Sequence, residues 1–236
     1  MNAPSSPSGI LNIDKQPGFT SMDVCAIIRT RLRRAGAPKR VKVGHAGTLD
    51  PLATGVLVVL VGKGTRLCEA MMGAPKRYVT TIDLSRLSTT ADRAGEITQV
   101  PVATPPTRDA VDRACAAFVG VIQQKPHAFS AIRVGGLRAY DLAREGQAIE
   151  LPARPVRIDA IDVLEYAWPR LTLDVRCGKG TYIRSLALDI GTALGVGGML
   201  ETLRRTAVGN YTIDTARTLE QLPDVLTQAD LLPLPA

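Results

Sequence analysis

The sequence predicts an α+β fold built on a mixed sheet. Strands and helices are interspersed without a regular βαβ period. Residues 56–61, VLVVLV, form an unbroken apolar run of strand length, which suits a strand covered on both faces. Two helical stripes follow hydroxyl caps, one at Thr20 or Ser21 and one at Thr107. No internal repeat is present. With 236 residues, 45% of them hydrophobic, the chain can bury a core in one large domain; only 4% are aromatic, so that core is aliphatic.

The elements are expected in this order. Order begins at Ile10, after a disordered start over 1–9, with a short strand over 10–13 ending in the turn 14–18. A helix follows with Val24, Ile27, Ile28 and Leu32 on its apolar face, stopped by Gly36 and Pro38. A short strand over 41–43 leads into the glycine-bounded loop 44–55 and then the apolar strand 56–61. A helix over 65–72 and a Tyr/Val/Thr/Ile-rich strand over 76–84 come next. Residues 85–106 read as loop. The helix after Thr107 carries Val111, Ala114, Cys115 and Phe118 and closes at Gly120. Residues 121–152 mix a basic segment with a short helix over 138–145. Strands over 155–166 and 170–176, a helix over 181–194, and a short helix then a strand over 199–213 complete the set. The Pro- and Leu-rich segment 222–236 is weakly patterned.

The net charge is +7 and the pI about 9.5, a balance that favours nucleic acid or an anionic membrane as partner. No apolar run approaches membrane-spanning length and the start shows no signal peptide, so the expectation is a soluble, cytoplasmic protein. Cys25, Cys68, Cys115 and Cys177 are far apart in sequence and only two histidines exist, so no metal site is expected. Gly62-Lys63 fails the phosphate-loop spacing because Leu57 stands where glycine is required, and no nucleotide cofactor is assigned.

Charge placement is the most informative local feature. Arg29, Arg31, Arg33, Arg34, Lys39, Arg40 and Lys42 put seven cations into fourteen positions, and no acid occurs over 24–49. A solvated helix face and a phosphate-binding footprint both fit that cluster. It runs directly into the loop 44–55, GHAGTLDPLATG, whose Asp50 is the first acid after those 26 residues. A carboxylate in a cationic field stays ionised at neutral pH and acts as nucleophile or electrostatic stabiliser rather than proton donor. An Asp-Pro turn without chemistry fits the same residues.

GHAGTLDPLATGVL closely resembles the catalytic loop of the TruB-type tRNA pseudouridine synthases, and the resemblance covers about 10–215. LNIDKQPGFTS, over 11–21, is similar to that family's opening motif. KRY over 76–78, GTYIRSLA over 180–187, LRRTAVG over 203–209 and YDLAREG over 140–146 resemble four more of its motifs. The resemblance implies a pseudouridine synthase fold: a mixed, largely antiparallel central sheet flanked by helices, with an RNA-gripping insertion over about 124–152. Residues 216–236 then form a short tail, with no full second RNA-binding domain.

It further implies Asp50 as the catalytic aspartate, Tyr78 as the residue packed on the target base and assisting proton transfer, and Arg184 as the active-site arginine pairing with Asp50. His45 is expected to stack within the RNA loop and Leu203 to line the uracil pocket. Lys15, Arg66 and Tyr182 join them as substrate-binding candidates. Arg31, Arg33, Lys39 and Arg40 are the phosphate candidates. Three positions depart from the pattern: His127 stands where proline is expected, Arg133 where lysine is expected, and in LSRLSTTADRAGE over 84–96 Ser85 follows the first leucine where glycine is usual. The implied reaction converts the T-loop uridine at tRNA position 55 to pseudouridine without metal or organic cofactor. The T-arm stem-loop of tRNA is the partner of an expected monomer. A non-catalytic tRNA-folding chaperone on the same scaffold is the rival; it needs the cations but not Asp50, Tyr78 and Arg184. A metal-dependent nuclease lacks the clustered carboxylates it would require.

Overall fold

The computed structural model describes residues 6–126, 133–134, 137–138 and 151–235. Most of the expected insertion and its helix over 138–145, together with His127 and residues 1–5, lie outside the described residues. Thirteen strands occur among the described residues: β1 Gly9–Lys15, β2 Val43–His45, β3 Thr54–Val61, β4 Lys76–Asp83, β5 Arg86–Ser88, β6 Ile97–Gln99, β7 Gly120–Gln124, β8 Arg133–Val134, β9 Leu137–Arg138, β10 Arg154–Ala167, β11 Arg170–Cys177, β12 Met199–Val208 and β13 Tyr211–Thr212. Four helices accompany them: α1 Ser21–Arg34, α2 Cys68–Gly73, α3 Arg108–Ala117 and α4 Ile183–Ala193. The fold is mixed α and β as expected, and its strand pairing is mostly antiparallel, with β3–β12 parallel. The residues form two compact units, one from 1–78 with 203–236 and one from 79–202.

In the first unit β1 lies antiparallel on β3, β2 also pairs with β3, and β3 meets β12 in parallel. The apolar run is buried on both faces as its composition requires. Leu57, Val59 and Val61 join Leu11, Ile13 and the Val24, Ile28 and Leu32 stripe of α1. Val56, Val58 and Leu60 face the other way, onto Ile10, Ala46 and Val208. Thr20 is the cap of α1: its hydroxyl accepts from the Asp23 amide at 3.1 Å while the Asp23 carboxylate accepts from the Thr20 amide at 2.8 Å. The helix ends at Arg34, with Gly36 in the left-handed region at φ +87°. The weakly patterned C-terminal segment supplies Leu222, Leu226 and Leu231 to the same core and bridges β1 at Ile10–Leu232.

In the second unit the strand order is β4–β11–β10–β7. Thr107 caps α3, accepting from the Ala110 amide at 3.2 Å, and Val111, Ala114 and Cys115 are buried on its inner stripe. α4 buries Ile183, Leu186, Ala187 and Ile190.

Several boundaries differ from the sequence expectation. The strand placed over 41–43 is β2, two residues later. The helix placed over 65–72 is a 3-10 helix over Gly62–Leu67 followed by α2. The stretch 85–106 contains the β5–β6 hairpin, hidden because its two strands are three residues each and largely exposed. The helix expected near residue 199 is the start of β12. Helix formers dominate MLETLRRTA, but ladder pairing overrides them: Arg204 and Arg205 pair in parallel with Thr54 and Gly55 of β3, and Ala207 and Val208 pair with β13.

Candidate active site

In the first unit the loop 44–55 connects β2 to β3, and its backbone is pinned at several points. Ser21, inside α1, donates its hydroxyl to the Leu49 carbonyl at 3.1 Å and accepts from the Leu49 amide at 2.8 Å. Asp50 opens a turn closed by the Ala53 amide donating to its carbonyl at 3.0 Å, with Pro51 at the second position, where a fixed φ is favourable. The Pro51 carbonyl accepts from the Gly18 amide at 2.9 Å and from the Lys15 ammonium at 3.3 Å. Gly47 and Gly55 sit at φ +107° and +98°. At Gly55 an added Cβ would lie 2.1 Å from the Arg205 backbone carbonyl, so glycine is needed there for space as well as for φ.

Two buried cations support this loop. Lys15 is 0% exposed and also donates to the Gln16 and Phe19 carbonyls, at 3.1 and 2.9 Å. Burial lowers its ammonium to about 8, with the Asp50 charge pulling it up and the Arg205 charge pushing it down. Arg205, 1% exposed, donates to the carbonyls of Val56 at 2.7 Å, Gly47 at 3.0 Å and Thr48 at 3.3 Å. Its neighbour Arg204 points to the other face of the strand, where it grips the Asp14 carboxylate bidentately at 2.8 and 3.1 Å. Burial, then the Arg205 charge, lowers the His45 imidazole against an opposing hydrogen bond with the Gly47 backbone. His45 Nδ1 is buried without a partner among the described residues. Tyr78 is buried on the same face of β4 as Lys76, and Leu203 packs against the core of this unit.

The phosphate candidates divide. Arg31 donates to the carbonyls of Leu219 and Leu222, at 2.6 and 3.1 Å, and pairs with Asp224 at 3.5 Å, holding the C-terminal segment. Arg33 donates to the Lys39 carbonyl. Arg40 instead joins Lys42, Lys63 and Arg66 around a surface hollow of about 550 Å³, also lined by Ser8 and Thr65. None of the residues lining it is acidic.

The second unit holds Arg184 and Tyr182. Arg184, at the first turn of α4, is 6% exposed rather than on a solvated surface. It donates to the Asp92 carboxylate at 3.4 Å and the Thr90 carbonyl at 3.3 Å. Asp92 in turn accepts from the Thr90 hydroxyl at 2.6 Å and the Ala94 amide at 2.9 Å. Tyr182 lies under the Arg154 guanidinium, 5.2 Å from the ring centre, and exchanges backbone hydrogen bonds with the Gln124 side chain at 2.8 and 3.1 Å.

Asp92, Arg205 and Lys63 are the residues that the sequence does not assign to a site, while Lys42 belongs to the basic cluster over 29–42. For Arg205 a signal existed: two adjacent arginines on a strand must face opposite ways, and each needs its own acceptors. No comparable signal marks Asp92. Among the described residues no helix is long and apolar enough to cross a membrane, and no three His, Cys, Asp or Glu side chains group as metal ligands.

Comparison with known proteins matches residues 33–183 to the TruB family pseudouridylate synthase N-terminal domain and residues 184–232 to the tRNA pseudouridylate synthase B C-terminal domain. A tRNA pseudouridine synthase B of Arthrobacter sp. (strain FB24) is 48% identical over 93% of this chain and 72% of the relative. That of Streptomyces avermitilis is 46% identical over 94% of this chain and 75% of the relative. Among solved structures, a chain of a Cbf5-Nop10-Gar1 complex superposes with TM-score 0.67 at 33% identity over 90% of this chain. This chain spans about half, 52%, of that one. With two domain matches that abut and relatives near half identity along nearly its whole length, the chain belongs to the TruB family of pseudouridylate synthases.

Proposed function

We propose that this chain isomerises the T-loop uridine at tRNA position 55 to pseudouridine in the cytoplasm, with Asp50 as the catalytic carboxylate. The observation that carries the reading is the loop 44–55, which holds Asp50 on a backbone fixed by Ser21, Lys15 and Arg205. Relatives named tRNA pseudouridine synthase B support the substrate class. In the reaction the N1–C1′ bond breaks, C1′ rejoins the base at C5, the C5 proton leaves and N1 ends protonated. The product is an isomer of the substrate, so atoms and electrons balance without a redox partner. The base is first flipped out of the RNA, which costs a few kcal/mol.

Tyr78 assists removal of the C5 proton, Arg184 is the active-site arginine, and Leu203 lines the uracil pocket. The His45 imidazole, kept neutral by burial and by Arg205, offers a flat ring for stacking in the RNA loop. Tyr182 belongs to the substrate-binding set. Lys15 serves that set indirectly, since its donors are spent on the backbone beside Asp50.

Phosphate contacts run through Arg40, Lys42, Lys63 and Arg66, and Lys39, next to Arg40 in sequence, remains a candidate. Arg31 serves the fold instead, because its guanidinium already holds the Leu219 and Leu222 carbonyls, whereas Arg33 is exposed and stays among the phosphate candidates. Changing Arg40, Lys42, Lys63 and Arg66 to Gln flattens log affinity against log salt by roughly 0.7–0.9 per lost contact. An unchanged slope sinks that footprint. The decisive experiment for the function incubates purified protein with unmodified tRNA and maps pseudouridine by carbodiimide-blocked primer extension. A stop specific to position 55 is expected, and its absence overturns the reading.

A further inference from the structure

We propose that Arg205 is a positioning residue for pseudouridine formation, acting through the backbone of the loop that carries Asp50. The inference rests on the reading that Asp50 acts on the target nucleotide. Among the described residues Arg205 is the largest of the side chains buried to less than 2% exposure. Among the described residues its hydrogen bonds go to backbone carbonyls, and none goes to a carboxylate. A buried guanidinium used only for packing is replaceable by an apolar side chain of similar volume at little cost or with a gain. What such a replacement cannot do is meet three carbonyls at once.

Those carbonyls belong to both arms of the loop. Gly47 and Thr48 precede Asp50 by three and two residues, and Val56 follows it on β3. The planar fork spreads its donors over three nitrogens and reaches all three carbonyls from one strand position, whereas an ammonium gathers its three donors on one nitrogen and cannot span them at once. The backbone at the root of the same side chain closes the far end, because Gly55 lies against the Arg205 carbonyl too closely for any Cβ. Arg204 and Arg205 pair in parallel with Thr54 and Gly55, so strand β12 fixes the end of the loop and its side chain fixes the start. The Arg205 charge also acts on both Lys15 and His45. One side chain thereby sets the geometry of the loop and the field across it.

The test uses the full chain with unmodified tRNA transcript and compares Arg205→Lys, Arg205→Ala and wild type. Single-turnover rate, tRNA affinity and thermal unfolding are all measured. A displacement near 1 Å of a reacting group costs on the order of a hundredfold in rate. Arg205→Ala therefore loses about a hundredfold in single-turnover rate while tRNA affinity stays within about threefold, since phosphate contacts dominate binding. Arg205→Lys falls between the two. Methylguanidinium at millimolar concentration restores part of the Arg205→Ala rate, because the deleted group fits the space it left.

An unchanged rate in Arg205→Ala overturns the proposal. So does a rate loss that follows unfolding in both variants, which assigns Arg205 to stability alone, or a loss in folded Arg205→Ala that methylguanidinium does not rescue, which takes the effect away from the guanidinium. Failure of wild type to form pseudouridine is a separate result, which overturns the functional reading instead.

Discussion

The two units hold their candidate groups in opposite ways. In the first, a carboxylate-bearing loop is braced by cations: Lys15 and Arg205 are both buried and both satisfied by backbone carbonyls. In the second, the cation Arg184 is braced by a carboxylate, Asp92, which is itself seated on a short polar turn. The backbones differ as well. The first loop takes its positive-φ positions with Gly47 and Gly55, whereas the second takes its own with Ala91, at φ +59° and fully buried. Glycine turns leave a mark in a sequence, and an alanine in the left-handed region leaves none. The loop around Asp50 was therefore readable, and the loop around Asp92 was not.

The largest expected effect tests whether the brace serves chemistry. Asp50→Asn keeps the shape of the turn and removes the charge. Turnover should fall by at least about a thousandfold, about 4 kcal/mol, with tRNA affinity within about tenfold because phosphates dominate binding. Substantial pseudouridine from a clean preparation of this variant would break the assignment. Gly55→Ala should then show that the first loop depends on close backbone approach. The added carbon meets the Arg205 carbonyl at 2.1 Å in a left-handed conformation. A loss of about 2–4 kcal/mol in chemical denaturation is expected from overpacking plus positive φ.

Asp92→Asn tests the opposite arrangement in the second unit. It weakens a charge-assisted contact that is worth about 1.5–3 kcal/mol. If its unfolding curve overlays that of wild type, the ion pair is idle and Arg184 is positioned by other groups.

What the sequence made legible follows the same physics. The apolar stripe of α1, the Thr20 cap and the doubly buried β3 are local or periodic features, and each is present as expected. β12 was misread because pairing with its neighbours, not propensity, decides its conformation. The cluster over 29–42 reads as one footprint, yet Arg31 turns inward to the Leu219 and Leu222 carbonyls while Arg40 and Lys42 meet Lys63 and Arg66 from another element. Only tertiary placement separates cations that hold the fold from cations that face solvent.

Lys15 gives a smaller effect that varies with pH. Its ammonium titrates at about 8 when folded, against an ordinary 10.5. Between those values the unfolded chain keeps a proton that the folded chain has released, so this group makes stability rise with pH. Below about 8 both states are protonated and its contribution is flat and at its least favourable. The stability of wild type relative to Lys15→Met should therefore climb from about pH 8 to 10.5, by at most about 1.4 kcal/mol per pH unit. A difference that stays constant over that range would show that the ammonium is not desolvated beneath the loop.

The smallest effect is expected at Ala91, where the two loops can be compared directly. Ala91→Gly relieves a left-handed conformation that costs an L-residue roughly 1–2 kcal/mol. Against that, glycine adds roughly 0.5–1 kcal/mol of unfolded-chain entropy. It also gives up a buried methyl worth about 0.8 kcal/mol. The terms nearly cancel, so thermal unfolding should shift by no more than about 1 kcal/mol in either direction. The contrast with Gly55→Ala is the point: the first loop admits only glycine because backbone lies where a side chain would be. In the second loop position 91 should accept either residue, because the Asp92 carboxylate is held by the Thr90 hydroxyl and the Ala94 amide. A loss above about 2 kcal/mol in Ala91→Gly would reverse that conclusion. It would make the buried methyl, and not the polar turn, the support on which Asp92 and Arg184 rest.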